Sequence, residues 1–380
     1  MHAVALRMLI GDRAKYLGLI FSIAFATMLM SNQISIFIGV MQRTANQIID
    51  VQEADLWVMD PRVRYVDEVE PLTDVQLYDV RGVKGVAWAV PLHKSVSLAH
   101  AGDSLIQNAI LMGIDDATLT GAPTRMLLGS VTDLKRPDAI IIDRAGYGSI
   151  WPGEPLQVGK EIELNERRAV IVGICEARAP YVTFPIIYTK YTDAMKYSNR
   201  TRKQLSFVLV RAEPGEDIST LKERISKETG LAALTWNEFM WQTIGYYMKR
   251  TGIPVNFGIT IILGFIVGAA VSGQTFYIFV LENLKQFGAL KAIGVGNGTI
   301  LTMILLQAGL IAVIGYALGI GLCAAFFEIT SRIAVHLRGF ALPWEVVAGT
   351  AGIVLIIAAI ASLASIRRVM VLDPAIVFRG

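Results

Sequence analysis

Four long apolar stretches, three of them crowded into the last third of the chain, constrain its fold more than any other feature. They run over residues 17–41, 254–281, 299–327 and 345–366. Each is long enough to cross roughly 30 Å of hydrocarbon as a helix. Between the first and second lies a polar segment, 42–253, that holds 25 of the 35 Lys and Arg and 27 of the 32 Asp and Glu. A uniform soluble enzyme does not distribute its charge this way. Over the whole chain 18% of residues are charged, below the ~25% of ordinary soluble domains. The expected fold is an α-helical membrane protein with four transmembrane helices and a large α+β extracytoplasmic domain inserted between helices 1 and 2.

The first stretch is too long for the apolar core of a cleaved signal peptide, so it reads as a retained span. Its second half carries Ser31, Asn32, Gln33 and Ser35. These either face neighbouring helices or, for Ser31, Asn32 and Gln33, line a dimer-interface or cargo-facing surface. Residues 1–16 read as an amphipathic helix at the membrane surface, with Val4, Leu6, Leu9 and Ile10 near one face; a disordered basic terminus is the alternative.

Basic residues fix the expected topology. Arg7, Arg13 and Lys15, then Lys285 and Lys291, then Arg367, Arg368 and Arg379 fall on one side of four spans, while the outer loop 328–344 has Arg332 and Arg338. The bias puts both termini, the connecting segment 282–298 and the tail 367–380 in the cytoplasm. The domain 42–253 is then outside a cytoplasmic, or inner, membrane.

Within 42–253, period-two runs at 54–60, 107–114, 138–143, 161–174, 185–190 and 204–212 read as strands. Residues 72–83, 191–198 and 217–230 read as helices, with Thr73 near one cap and Gly230 as a C-cap. Their irregular alternation indicates an α+β domain of two subdomains. Its Trp57, Trp88, Trp151, Trp236 and Trp241 either grip a ligand or serve the core and the membrane edge.

Chemistry is sparse. Asp115 and Asp116 are neighbours on a turn, where carboxylates more commonly cap than catalyse. The run RAGYGSI at 144–150 lacks the lysine and the strand-loop-helix setting of a phosphate cradle. No G-x-x-x-x-G-K-[ST] occurs, so any ATP hydrolysis is expected on another polypeptide. Cys175 and Cys323 form no zinc pattern, and His2, His93, His100 and His336 are too scattered for a metal cluster. A net charge of +3 without a basic run argues against nucleic acid as a partner. No catalytic, metal or cofactor-binding residue is assigned.

Between the second and third spans stands ENLKQFGALKAIG, residues 282–294. Leu284, Phe287, Leu290 and Ile293 recur at helical spacing, Glu282, Lys285, Gln286 and Lys291 take the other side, and Gly294 ends the run. Periodicity alone describes a helical loop against the headgroups. The run also resembles the signature of FtsX-like permeases, approximately E-R-x-x-E-I-G-x-L-K-A-I-G, with Glu282, Phe287, Gly288, Leu290, Lys291, Ala292, Ile293 and Gly294 matching or conservatively replacing it. Gln286 stands where an acidic residue is usual, and Lys285 lies near the usual arginine. The closing DPAIVFRG, 373–380, is similar to that family's P-x-x-x-L-R ending, and ADLWVMDP, ILMGID, IIIDRAGYG, VGKEIEL and VIVGICEA resemble a MacB-like periplasmic core domain, in look closest to DevC-type permeases.

That resemblance implies the permease subunit of a MacB-like, type VII ABC exporter. Its implied partners are two copies of an ABC ATPase, which carries ATP and Mg, a second copy of this chain, a periplasmic membrane-fusion protein and an outer-membrane channel. Residues 282–294 become the ATPase-coupling helix, with Leu284, Phe287 and Leu290 in an ATPase groove and Glu282 and Lys291 at its rim. The implied mechanism is mechanotransmission to an outside domain, with an amphipathic or lipid-like cargo. Haem export, with Tyr246, Tyr247 and Met248 facing iron, lipoprotein release and FtsX-type control of cell-wall hydrolases are the alternatives.

Overall fold

The computed structural model describes residues 2–11, 13–102, 106–198, 204–333 and 339–370. The expectations on Arg338, His336, Arg379 and the closing 373–380 lie outside these. The chain opens with helices α1 (His2–Gly11) and α2 (Arg13–Ile49), followed by β1 (Leu56–Met59), α3 (Asp74–Gly82), β2 (Val86–His100), β3 (Gln107–Ile114) and β4 (Met126–Leu128). Then come β5 (Ala139–Asp143), α4 (Arg144–Ile150), β6 (Glu161–Leu164), β7 (Arg167–Cys175), β8 (Ile186–Lys190), α5 (Tyr191–Tyr197) and β9 (Phe207–Ala212). Helix α6 (Ile218–Thr229), β10 (Ala232–Thr235) and α7 (Trp236–Arg250) precede four further helices: α8 (Ile253–Glu282), α9 (Leu284–Ala292), α10 (Asn297–Ile333) and α11 (Trp344–Met370). Two compact units result, Val40–Thr251 and the remainder.

The inserted unit is built on one ten-stranded sheet in the order β10-β1-β9-β2-β3-β8-β5-β7-β4, with β6 pairing β2 and β7. Pairing is antiparallel except for β3 with β8 and β5 with β7. The expected two subdomains are two halves of this sheet that share β2. Residues 86–92 of β2 pair with β9, and residues 93–99 pair with β3. At the handover the Ser206 hydroxyl accepts from the Lys94 N–H at 2.8 Å and donates to the Lys94 carbonyl at 3.1 Å.

Local sequence explains the ends of several elements. The Thr73 side chain accepts from the Gln76 N–H while the Gln76 side chain accepts from Thr73, a capping box opening α3. Asp217 caps α6, and Gly230 at φ +70° closes it; Leu221 and Ile225 of that helix are fully buried. The run 161–174, expected as one strand, is a hairpin. Asn165 and Glu166 take φ of +47° and +65° between β6 and β7, the positive angles of a tight two-residue turn.

The membrane unit holds α8, α10, α11 and most of α2, the four helices of the chain long and apolar enough to cross a membrane among the described residues. Small residues set their spacing. A Cβ on Gly315 of α10 would lie 2.8 Å from Ile23, and one on Gly319 2.5 Å from the Ala24 carbonyl. On α8, a Cβ on Gly268 would lie 2.6 Å from Ala26, and Gly264 faces Leu29 and Met30 at 3.3 Å. Helix α2 is therefore sandwiched between two glycine-x-x-x-glycine faces, the arrangement that lets membrane helices approach closely.

Helix α1 forms, and of its expected face Leu9 is buried and Leu6 half-buried. Ala5 and Leu9 are fully buried while Val4 is exposed. The Gln307 amide of α10 donates to the Ala5 carbonyl at 2.8 Å, so α1 packs on α10. Helix α2 extends four residues before and eight beyond the expected span 17–41.

Candidate functional site

Helix α9 is set off from α8 by Asn283, whose side chain donates to the Phe279 carbonyl at 2.8 Å and whose own carbonyl accepts from the Phe287 N–H at 3.1 Å. Its far end is a Schellman closure. Gly294, at φ +92°, donates to the Lys291 carbonyl at 3.0 Å, and Val295 donates to that of Leu290 at 3.0 Å. The C-terminal end of this nine-residue helix is thus satisfied by its own sequence.

Helix α9 has one buried and one outward face. Phe287 is fully buried, in a cluster with Leu9, Leu19, Ile20, Phe276, Phe279 and Ile300. Gly288 is buried too, Leu284 packs partly on the same cluster, and Leu290 is half-buried. The apolar stripe therefore faces this chain's own bundle, where a phenyl ring finds close-packed neighbours. What points outward is Lys285, Gln286, Ala289 and Ile293, the last 78% exposed. Gly294 is exposed as well.

The two groups expected at a rim have intramolecular partners. Glu282 forms an ion pair with Lys15 of α2. Lys291 donates to the Met370 carbonyl at 3.0 Å, where a cation suits the carbonyl end of α11. Sequence reading named neither partner, although the topology count already put Lys15 and Glu282 on one side of the membrane.

Ser31, Asn32 and Gln33 do not share one environment. Ser31 is fully buried and its hydroxyl meets that of Thr350 on α11 at 3.4 Å. It is a helix contact, as is Ser22, whose hydroxyl lies 3.1 Å from that of Ser272 on α8. Asn32 and Gln33 are half-buried.

In the inserted unit the chemistry-bearing residues serve the fold. Asp115 accepts from the N–H groups of Ala117 and Thr118 at 3.2 and 2.8 Å, and Asp116 accepts from the Thr192 N–H at 3.1 Å. RAGYGSI is helix α4, and it does follow a strand, contrary to the expected setting. Its N-terminus is already filled by Asp143, which accepts from Ala145 and Gly146 at 3.1 Å and from Ile186 at 2.7 Å. Burial pushes that carboxyl up to about 6, against the pull of those three N–H donors.

Tyr246 and Tyr247 do not stand free at a membrane edge. Tyr246 stacks on Tyr65 at 4.2 Å, with the Arg64 guanidinium 5.2 Å from its ring. The buried Tyr247 donates to Asp67 at 3.3 Å, and Asp67 also pairs with the buried Lys94. Burial, and then the Asp67 charge, raise the Tyr247 phenol above its ordinary range. Trp57 packs against Phe207 and Phe239 in the core, while Trp236 and Trp241 are exposed. Among the described residues no three His, Cys, Asp or Glu are grouped to hold a metal.

Comparison with known proteins gives two matches that together span most of the chain. Residues 16–228 match the MacB-like periplasmic core domain, and residues 258–374 match the FtsX-like permease C-terminal region. An uncharacterized ABC transporter permease of Mycobacterium tuberculosis is 37% identical over 318 residues, 82% of this chain and 80% of that one. The macrolide export ATP-binding/permease protein MacB of Shigella sonnei is 22% identical over 236 residues, 60% of this chain and 35% of that one. Among solved structures, the periplasmic region of MacB from Actinobacillus actinomycetemcomitans aligns with a TM-score of 0.39 and 13% identity, over 54% of this chain and 96% of that one. The extracellular domain of the transporter YknZ gives 0.36 and 15%, over 48% and 99%.

Proposed function

Because the chain belongs to the ABC transporter permeases that combine a MacB-like periplasmic core domain with an FtsX-like C-terminal region, we propose that it transmits ATP-driven motion from α9 to the inserted domain to export an amphipathic or lipid-like molecule. It acts as a homodimer with two ABC ATPase subunits, which bind the ATP and Mg. Both termini and α9 face the cytoplasm, and the inserted domain works outside with a membrane-fusion protein and an outer-membrane channel.

The observation that carries this reading is the division of α9 into a buried and an outward face. Phe287 and Gly288 fasten the helix to the bundle, so a push on Lys285, Gln286, Ala289 and Ile293 moves α2, α8 and α10 with it. Helix α2 supports the second half of the route. Its 37 residues exceed the ~20 that a bilayer requires, and its last turns are buried in the inserted domain, with Ala45 and Ile48 fully enclosed.

The test uses the chain co-expressed with an ABC ATPase of the same organism, purified and reconstituted in liposomes. Vanadate-sensitive ATP hydrolysis that rises when the permease is present, together with loss of a fluorescent lipid from the membrane when the fusion protein is added, supports the reading. ATP hydrolysis indifferent to the permease contradicts it. Coupled hydrolysis without lipid loss, but with activation of a cell-wall hydrolase or release of a lipoprotein, replaces the cargo half of it.

A further inference from the structure

We propose that the Lys15–Glu282 ion pair is a strut that carries the movement of α9 into α2, so that both residues position the coupling helix and neither contacts the ATPase. The proposal rests on the transport reading above and names a pair of positioning residues for it.

Glu282 is the last residue of α8 and sits immediately before Asn283, where α8 stops and α9 starts. Lys15 is the third residue of α2. Their side chains are in direct contact, so the beginning of α9 is tied to the beginning of α2 across 267 positions of sequence. A second tie runs beside the first, because Phe287 of α9 shares one buried cluster with Leu19 and Ile20 of α2. The other end of α2 is fixed by burial, with Ala45 and Ile48 in the cluster that holds Trp57, Met59, Phe207 and Phe239. No helix break intervenes between Arg13 and Ile49.

The chemistry of the pair suits a moving joint. The Lys15 side chain is 30% exposed and that of Glu282 51%, so water can take over either charge when the contact opens. A fully buried pair would leave an uncompensated charge behind and would resist opening. At the edge of a low-dielectric membrane the attraction still exceeds that of the same pair in bulk water. Lys285, one turn further on, is exposed and remains available to a partner.

The experiment uses the full chain with its ATPase in lipid nanodiscs. A fluorescent donor is attached at Lys135→Cys in the inserted domain and an acceptor at Glu345→Cys at the start of α11; the native Cys175 and Cys323 are buried. Energy transfer is recorded before and after addition of ATP and vanadate. Lys15→Glu alone and Glu282→Lys alone should each keep ATPase co-purification within about twofold of the unmodified chain and reduce the ATP-driven change about fivefold, the range of a partly exposed ion pair. The double reversal should restore it. Single reversals that leave the change intact overturn the strut. So does a double reversal that fails to rescue, which would mean the two residues act separately. An unmodified chain that binds no ATPase overturns the transport reading, and the strut with it.

Discussion

In the inserted domain the strands place Ile140, Ile142, Ile171 and Val208 inside and leave the charges of Glu161 and Arg168 outside. On α8 the order is reversed: Ile259, Ile262, Leu263, Ile266 and Val267 are exposed, while Gly264, Gly268 and Ser272 are buried. Water drives the first arrangement, because apolar area removed from it is stabilising. In lipid no such gain exists, and helices associate through close backbone approach and interhelical hydroxyl contacts. One chain thus holds two units whose interiors follow different rules, and the same kind of substitution should act on them differently.

The largest effect is expected from filling a glycine contact. Gly319→Leu would drive a side chain into the Ala24 carbonyl and Thr27, an overpacking that costs about 3 kcal/mol or more when the backbone cannot yield. Hydrogen exchange should show the membrane helices losing protection while the sheet amides of β2, β3 and β9 keep theirs. Gly258→Leu, with nothing within 4 Å of its Cβ, is the tolerated control. Joint loss of protection in both units would break the comparison.

Phe287→Ala comes next. Truncating a fully buried ring costs about 3–5 kcal/mol, so the thermal midpoint of the membrane unit in detergent should fall even with no ATPase present. An unchanged midpoint combined with lost ATPase binding would return Phe287 to a partner's groove.

These two sites also show what can be read from sequence. The Gly294 stop of α9, the Thr73 cap and the Gly230 closure were legible because each is a local event needing one residue type at one position. Periodicity likewise grouped Leu284 and Phe287 on one face. It could not say what that face meets, since partner groove and own bundle demand the same apolar residues. Strand β2 escaped for a related reason. Residues 89–94 are all buried, which removes the alternation, and Pro91 interrupts the run although it pairs with Val208. Helix α7 escaped as well, its capping box of Thr235 and Glu238 being the available signal. The glycine spacings 264/268 and 315/319 were also on the page, but only the structure identifies α2 as their shared partner.

A smaller effect, confined to the inserted domain, depends on pH. The folded Asp143 carboxyl keeps its proton up to about 6, while an unfolded aspartate loses it near 4. Between those values the folded state binds more protons, so its stability should fall as pH rises from about 4 to about 6 and then level off. Urea unfolding of the full chain, followed through exchange at β5, checks the slope. A stability that rises through this window from β5 outward would contradict the burial assigned to Asp143. Asp143→Asn should flatten the slope while lowering stability overall, because an amide cannot accept from all three N–H groups.

The smallest effect is expected at the outward charge of α9. Lys285→Ala should weaken ATPase binding less than about fivefold, as exposed charges do, and should leave the melting of either unit unchanged. A larger loss, measured by titrating the ATPase onto immobilised permease, would move the docking energy from the shape of α9 to its charge.

Photo-crosslinking from single positions on α9 tests the central claim most directly. A photoreactive residue is placed at Gln286, Ala289 or Ile293, and separately at Phe287, in the full chain co-expressed with its ATPase. The two-faced helix is expected to crosslink to the ATPase from 286, 289 and 293, and from 287 only within its own chain. Crosslinks to the ATPase from 287 but none from 286, 289 or 293 would contradict it.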